Sequence, residues 1–204
     1  MKITSFLIVT FFFFFHSNCQ IAMYHDTFYG GVTGDGYNPW TLNTPGVLNV
    51  NIESGSTIRK AFLFVSVYES PVKRLLKFNG IDIELSYDNI LDNEYTFDSG
   101  AAETKINTLY VDVTELIDPL LNTYSIIPPF NQTYPLLGGT YTEFYLLVLY
   151  ENSLLQKTAI SIFVNDQNAN AINLYNFQSL NPMNMSNNIG LSIHSDHFCD
   201  TTQD

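Results

Sequence analysis

The densest set of metal-ligating and nucleophilic side chains in this chain is His194, Asp196, His197, Cys199 and Asp200. Imidazole, thiolate and carboxylate together are the donor types of a zinc site. Their spacing works against one. A strand puts residues i and i+2 on one face, so His194 and Asp196 would face one way and His197 and Cys199 the other. One strand cannot bring all four to one ion, and polar residues at a strand end are the expected reading. Asp166, Asn168 and Asn170 repeat the spacing of the first three ligands of a calcium loop. That loop also needs a glycine and a bidentate glutamate, where this chain has Ala171 and Phe177. An ordinary Asn/Asp turn is expected there, as at Asp35 between Gly34 and Gly36. The sequence therefore predicts no metal and no cofactor. Asp166, Asn168, Asn170, His194 and Asp196 are the residues that would carry a metal if there were one.

Covalent catalysis finds little to work with. A nucleophilic serine usually sits in a G-x-S-x-G elbow, and none is present. A Cys199–His197 pair has no neighbour to orient the imidazole. Asp82 and Glu84 could pair as glycosidase carboxylates, but they flank a hairpin tip, where charged side chains face water. No phosphate-binding or dinucleotide fingerprint occurs. No catalytic residue is expected. Tyr24, Tyr29, Tyr37 and Trp40 cluster in sequence, and Tyr37 and Trp40 could stack on a sugar ring or pack over a sheet edge. Asn131 and Asn184 begin N-glycosylation sequons, which carry meaning in a eukaryotic source.

The elements that must position these residues read as β. Leu48, Val50 and Ile52 alternate with asparagines, as in a strand buried on one face. Residues 61–68 are apolar on both faces, as in a central covered strand. Asn79-Gly80, between Leu75–Phe78 and Ile81–Leu85, predicts a type I′ hairpin over 74–86. Residues 86–104 read as a long polar loop. Leu109–Val113 reads as a strand, Thr114–Asp118 as one helical turn capped by Thr114, and Thr123–Ile127 as a short strand. Glu143–Tyr150 and Thr158–Val164 complete the strong strands, with weaker ones at Ile172–Phe177 and Ile189–Ile193. Many short strands between turn signals predict an all-β, antiparallel β-sandwich of the jelly-roll or Ig-like kind.

Residues 1–22 have the layout of a cleaved signal peptide: Lys2, then an apolar run from Phe6 to Phe15 broken only by Thr10, then small and polar residues. Ser17 and Cys19 suit a cut after Cys19. A cut after Ala22 and lipid attachment at Cys19 are the alternatives. Residues 23–204 then form a single domain, with Cys199 its lone cysteine and a C-terminus expected to be incomplete. The chain carries 8 basic and 20 acidic residues, and losing Lys2 leaves 7 against 20. Such an acidic surface repels phosphate backbones and anionic lipid heads. Neither nucleic acid nor membrane is expected as a partner.

Four segments together resemble a known family. They are Lys60-Ala61-Phe62-Leu63-Phe64-Val65-Ser66-Val67-Tyr68, Leu76-Lys77-Phe78-Asn79-Gly80, Asp112-Val113-Thr114-Glu115-Leu116-Ile117 and Leu146-Leu147-Val148-Leu149-Tyr150-Glu151-Asn152. Their order is similar to that of a domain of unknown function in secreted, often multi-domain surface proteins. Where that family has an aromatic-glycine pair, this chain reads Thr142-Glu143-Phe144-Tyr145. The resemblance implies a divergent or truncated member and carries no catalytic residues. The expected function is a secreted or cell-surface structural or adhesive module, not an enzyme, that meets a protein or glycan partner. A carbohydrate- or calcium-binding module is the alternative, and a secreted hydrolase the third reading.

Overall fold

Residues that alternate apolar and polar form strands here because each sheet buries one face. The computed structural model describes residues 21–39, 44–68, 74–89, 95–98, 103–129 and 140–164. These hold ten strands: β1 (Ile21–Tyr37), β2 (Gly46–Asn49), β3 (Thr57–Tyr68), β4 (Arg74–Phe78), β5 (Ile81–Leu85), β6 (Tyr95–Asp98), β7 (Glu103–Asp112), β8 (Thr123–Ile127), β9 (Thr140–Glu151) and β10 (Lys157–Val164). All pairings are antiparallel. One sheet has the order β10-β1-β9-β3-β7-β6 and the other β2-β8-β4-β5. The described residues include no α-helix, and none is long and apolar enough to cross a membrane.

The two sheets share one core. From the larger sheet come Ala61, Leu63, Val65 and Val67 of β3, Leu109 of β7, and Phe144, Leu146, Val148 and Tyr150 of β9. From the smaller come Leu48, Leu76, Phe78, Ile83, Leu85, Tyr124 and Ile126. The fold is thus β-sandwich-like, as the alternation predicted. Phe78 and Tyr124 stack at its centre, 5.5 Å apart and 3° from parallel. The Tyr124 hydroxyl donates to the Asp118 carbonyl at 2.7 Å and accepts from the Asp118 N–H at 2.9 Å. This pins the turn that leads into β8, in the manner of a tyrosine corner. Tyr124→Phe is expected to cost about 1–3 kcal/mol, since two hydrogen bonds at a half-buried turn are lost together. Urea unfolding measures it, and an unchanged midpoint would refute the pinning role.

The hairpin at 74–86 is present, with Asn79 at φ 46° and Gly80 at φ 83°. Three other expectations need correction. The 86–104 stretch is not one loop, because β6 and the start of β7 lie in it and pair as a hairpin, Tyr95 opposite Ile106. Thr114 does not cap the short 3-10 turn Thr114–Leu116. Its hydroxyl instead accepts the Ala61 N–H at 3.0 Å and donates to Asp112 at 2.5 Å, tying the turn to β3. Asp35 is not in a turn either, because Gly34, Asp35 and Gly36 lie inside β1 opposite Leu147, Leu146 and Tyr145. The expected strands at 172–177 and 189–193 lie outside the described residues.

β1 is the largest departure from the sequence reading, which placed no strand before Leu48. It is 17 residues long and serves two partners. Ile21–Tyr29 pair with β10, and Gly30–Tyr37 pair with β9. β9 and β10 flank β1 on opposite sides. The short link Asn152–Gln156 therefore has to cross β1, and it does so at Tyr29–Gly30. There Asn152 N–H donates to the Tyr29 carbonyl at 2.9 Å and Gly30 N–H to the Gln156 carbonyl at 3.2 Å. A Cβ on Gly30 would overlap the Tyr150 carbonyl oxygen and sit 2.9 Å from the Phe28 ring. Glycine is required here by the close approach of two backbones.

Candidate functional site

Alternation along β3, β7 and β9 sends one set of side chains to the core and the other to the outer face of the larger sheet. The register aligns the second set into rows. Phe64 stands opposite Tyr110 of β7 on one side and Tyr145 of β9 on the other, and Tyr145 stands opposite Gly36 of β1. Three aromatic side chains on three adjacent strands, each half-buried, thus form one row. Tyr145 leans toward β1, where the missing side chain of Gly34 gives it room: a Cβ there would lie 2.9 Å from the tyrosine oxygen. The next row holds Asp112, Phe62 and Leu147. Phe62 lies 6.1 Å from Phe64 at 42° and 6.5 Å from Tyr110 at 57°, so the rings are tilted rather than stacked. The Lys60 ammonium sits 5.8 Å above Phe62 and pairs with Asp112.

Part of this face is closed. Phe62, Leu149 and Phe28 are buried but do not belong to the shared core. The N-terminal half of β1, paired with β10 as a two-stranded ribbon, lies over this patch and contributes Phe28 to it. Tyr24 meets the Phe62 ring edge-on at 5.5 Å. Arg59 holds the ribbon down. Its guanidinium donates to both Asp26 oxygens, at 2.5 and 3.1 Å, pairs with Glu151, and lies 5.2 Å from the centre of the Phe28 ring. Tyr24 adds a hydrogen bond to Asp26 at 2.7 Å. These bonds, led by that from Arg59, hold the Asp26 carboxyl well below the usual carboxylate range. A depressed folded pKa gives stability that is complete above the unfolded value and lost as pH falls toward the folded one. Asp26→Asn is therefore expected to lower the urea midpoint at pH 7, with the gap to the parent narrowing below about pH 4. A gap that stays constant to pH 3 would show that the carboxylate charge is not what holds the ribbon.

The edge of the smaller sheet is closed by side chains rather than by a further strand. Asp35 of β1 accepts the Asn49 N–H at 2.7 Å and its side-chain amide at 3.1 Å, and Thr33 accepts the Asn51 N–H at 2.9 Å. These donors lie on the side of β2 away from β8 and would otherwise be open to another chain.

Among the residues singled out from sequence, Tyr37 is turned inward. Its side chain packs against the core, its ring lies where a Cβ on Gly46 would be, and its hydroxyl donates to the Thr44 carbonyl at 2.7 Å. Trp40, Asn131, Asp166, Asn168, Asn170, Asn184, His194, Asp196, His197 and Cys199 lie outside the described residues. Among the described residues no group of three or more His, Cys, Asp or Glu side chains is placed to hold a metal ion. One pairing was invisible in the sequence: His25 Nδ1 and Ser161 Oγ are 2.8 Å apart. They face each other across the β1–β10 ladder. A serine and a histidine in contact are the start of a nucleophile-base pair. This one is exposed, and among the described residues no third group holds the imidazole, so it ties two strands. Tyr141 is fully buried, its hydroxyl has no hydrogen-bond partner among the described residues, and burial pushes its pKa up to about 12.

Comparison with known proteins finds no matching family model, no matching curated protein and no matching solved structure.

Proposed function

We propose that this chain is a secreted or cell-surface β-sandwich module that binds and does not catalyse. Its partner is a protein or glycan at the cell surface, met by the outer face of the larger sheet. The observation that carries this reading is the row Tyr110–Phe64–Tyr145. Aromatic side chains supply large contact area and a polar tip at little entropic cost, and they are enriched at binding surfaces. Two of the three rings carry hydroxyls that can donate or accept hydrogen bonds at the rim. The acidic balance of the chain argues for a neutral or basic partner. Four described carboxylates are engaged in fixing the fold: Asp26 and Glu151 on Arg59, Asp112 on Lys60, and Asp35 on β2.

The glycan reading rests on the same row, because pyranose rings present apolar faces to aromatic side chains. Retention on a glycan array and on intact cells tests both. Phe64→Ser with Tyr110→Ser is expected to weaken binding by about tenfold or more, the scale of losing aromatic anchors. The unfolding midpoint of the double variant separates lost binding from lost folding. A well-folded double variant that binds as tightly as the parent would sink the assignment of this face. A calcium titration with no thermal shift would remove the calcium alternative at Asp166–Asn170.

A further inference from the structure

We propose that Asn79 is a self-modification site of the folded chain: its side-chain amide is lost to attack by the Gly80 backbone nitrogen, and the isoaspartyl product unlocks the β4–β5 hairpin.

The chain holds one Asn-Gly step, and it forms the whole two-residue loop between Phe78 and Ile81, which pair across the hairpin. Both loop residues are exposed and both have positive φ, 46° and 83°. Glycine has no Cβ to shield its own nitrogen, and nothing lies within 4 Å of where a Cβ on Gly80 would be. Water and base therefore reach the attacking atom. The Asn79 N–H is tied to the Ser125 carbonyl at 2.8 Å, but among the described residues no partner holds the Asn79 carboxamide.

Other asparagines differ on these points. Asn152 also precedes a small residue, Ser153. Its amide, however, donates to the Ser54 carbonyl and to Ser56 Oγ, each at 3.3 Å, and its Oδ1 accepts the Leu154 N–H at 3.0 Å. Asn49 and Asn51 precede the β-branched Val50 and Ile52, which crowd the nitrogen that would attack.

The reaction has two steps. The Gly80 nitrogen gives its proton to base and attacks Cγ of Asn79. The N–Cγ bond forms, the Cγ–Nδ2 bond breaks, and Nδ2 takes up a proton and leaves as ammonia. The product is a five-membered succinimide. Water then opens the ring. Cleavage of N–Cγ gives aspartate, and cleavage of the bond from nitrogen to the main-chain carbonyl carbon gives isoaspartate, whose backbone runs through Cγ. The left-handed backbone of a type I′ turn points the Gly80 nitrogen away from Cγ. The first step therefore runs through brief local opening of the tip, not through global unfolding.

The location gives the product its consequence. Aspartate at this position still suits a type I′ turn, since Asp-Gly is one of its favoured pairs. Isoaspartate adds a methylene to the main chain of a loop that has only two residues. The pairing of Phe78 with Ile81 and the bond to Ser125 would both be lost, next to the buried stack of Phe78 on Tyr124.

The full chain, kept folded at neutral pH for weeks and then mapped by mass spectrometry, tests this. The peptide containing Asn79 is expected to show the mass gain of replacing NH2 by OH, with an isoaspartyl form that isoaspartyl methyltransferase labels. The Asn152 peptide is expected to stay intact. Unfolded in urea, the chain should react at Asn79 about tenfold faster, the scale of protection that one net backbone hydrogen bond gives. The purified isoaspartyl form should unfold at lower urea than the parent, and Asn79→Asp should not. An Asn79 that stays intact in the folded chain after the unfolded chain has reacted would overturn the proposal. Equal loss at Asn152 would overturn selection by the turn, and an isoaspartyl form with the parent's midpoint would overturn the unlocking.

Discussion

Gly30→Ala is expected to destabilise the protein by about 3 kcal/mol or more, the upper range for forcing atoms into a filled site. The new methyl group would meet the Tyr150 carbonyl oxygen and the Phe28 ring, both of them in the strands that Gly30 joins. A flexible neighbour could swing aside, but a ladder carbonyl cannot move without its strand. Relief would have to come from β1 parting from β9, just where the Asn152–Gln156 link crosses. The Gly30 N–H bond to Gln156 would go with it. Hydrogen exchange should then report faster exchange along β1 and β10 than in the core strands β3 and β9. An alanine variant with the parent's urea midpoint and exchange pattern would show that the crossing is not tight.

Phe78→Ala should cost about 3–5 kcal/mol, the range for removing a buried ring from a packed core. Phe78 has no exposed surface and stacks face to face on Tyr124, the residue that pins the Asp118 turn. The cavity would therefore lie at the joint between the hairpin and the turn, and neither can collapse freely. The hairpin tip fixes the Phe78 position from one side, with Asn79 N–H bound to the Ser125 carbonyl at 2.8 Å. Phe78→Leu keeps most of the volume and is expected to lose a smaller share. Chemical denaturation of both variants measures the difference. A loss below about 1 kcal/mol for the alanine variant would mean that the core repacks around the gap.

Both predictions concern the fold rather than binding, which fits where the polar groups of this protein are used. Asp35 and Thr33 close the edge of β2, and Arg59 ties the ribbon to the sheet through Asp26 and Glu151. Surface ion pairs alone contribute little. This network differs because Arg59 is forked onto one carboxylate, lies against Phe28, and covers a patch of buried apolar surface. If the outer face binds a partner, the ribbon sets the border of the available surface, leaving Phe64, Tyr110 and Tyr145 beyond its edge.

The alternation of β3 and β9 and the Asn79-Gly80 turn were legible because they depend on neighbours in sequence. Side-chain period and turn conformation are local properties. β1 was not legible because four glycines at positions 30, 31, 34 and 36 break its pattern and imitate a loop. Those glycines answer to tertiary contacts: the backbone of β9 at Gly30 and the Tyr145 ring over Gly34. β6 was hidden for a related reason. A four-residue edge strand has little room for alternation, and it is held by its pairing with β7.

The candidate site divides in the same way. Sequence alone determined that Phe62 and Phe64 would share a face of β3 and that Asp82 and Glu84 would face water. It also determined an all-β chain with an acidic balance. Only the tertiary structure decided that Tyr110 and Tyr145 flank Phe64, that Tyr37 turns inward, and that His25 meets Ser161. Each of these is a question of register between strands far apart in the chain, and register is set by the joint burial of two sheets. A pattern can say which way a side chain points. It cannot say what stands opposite.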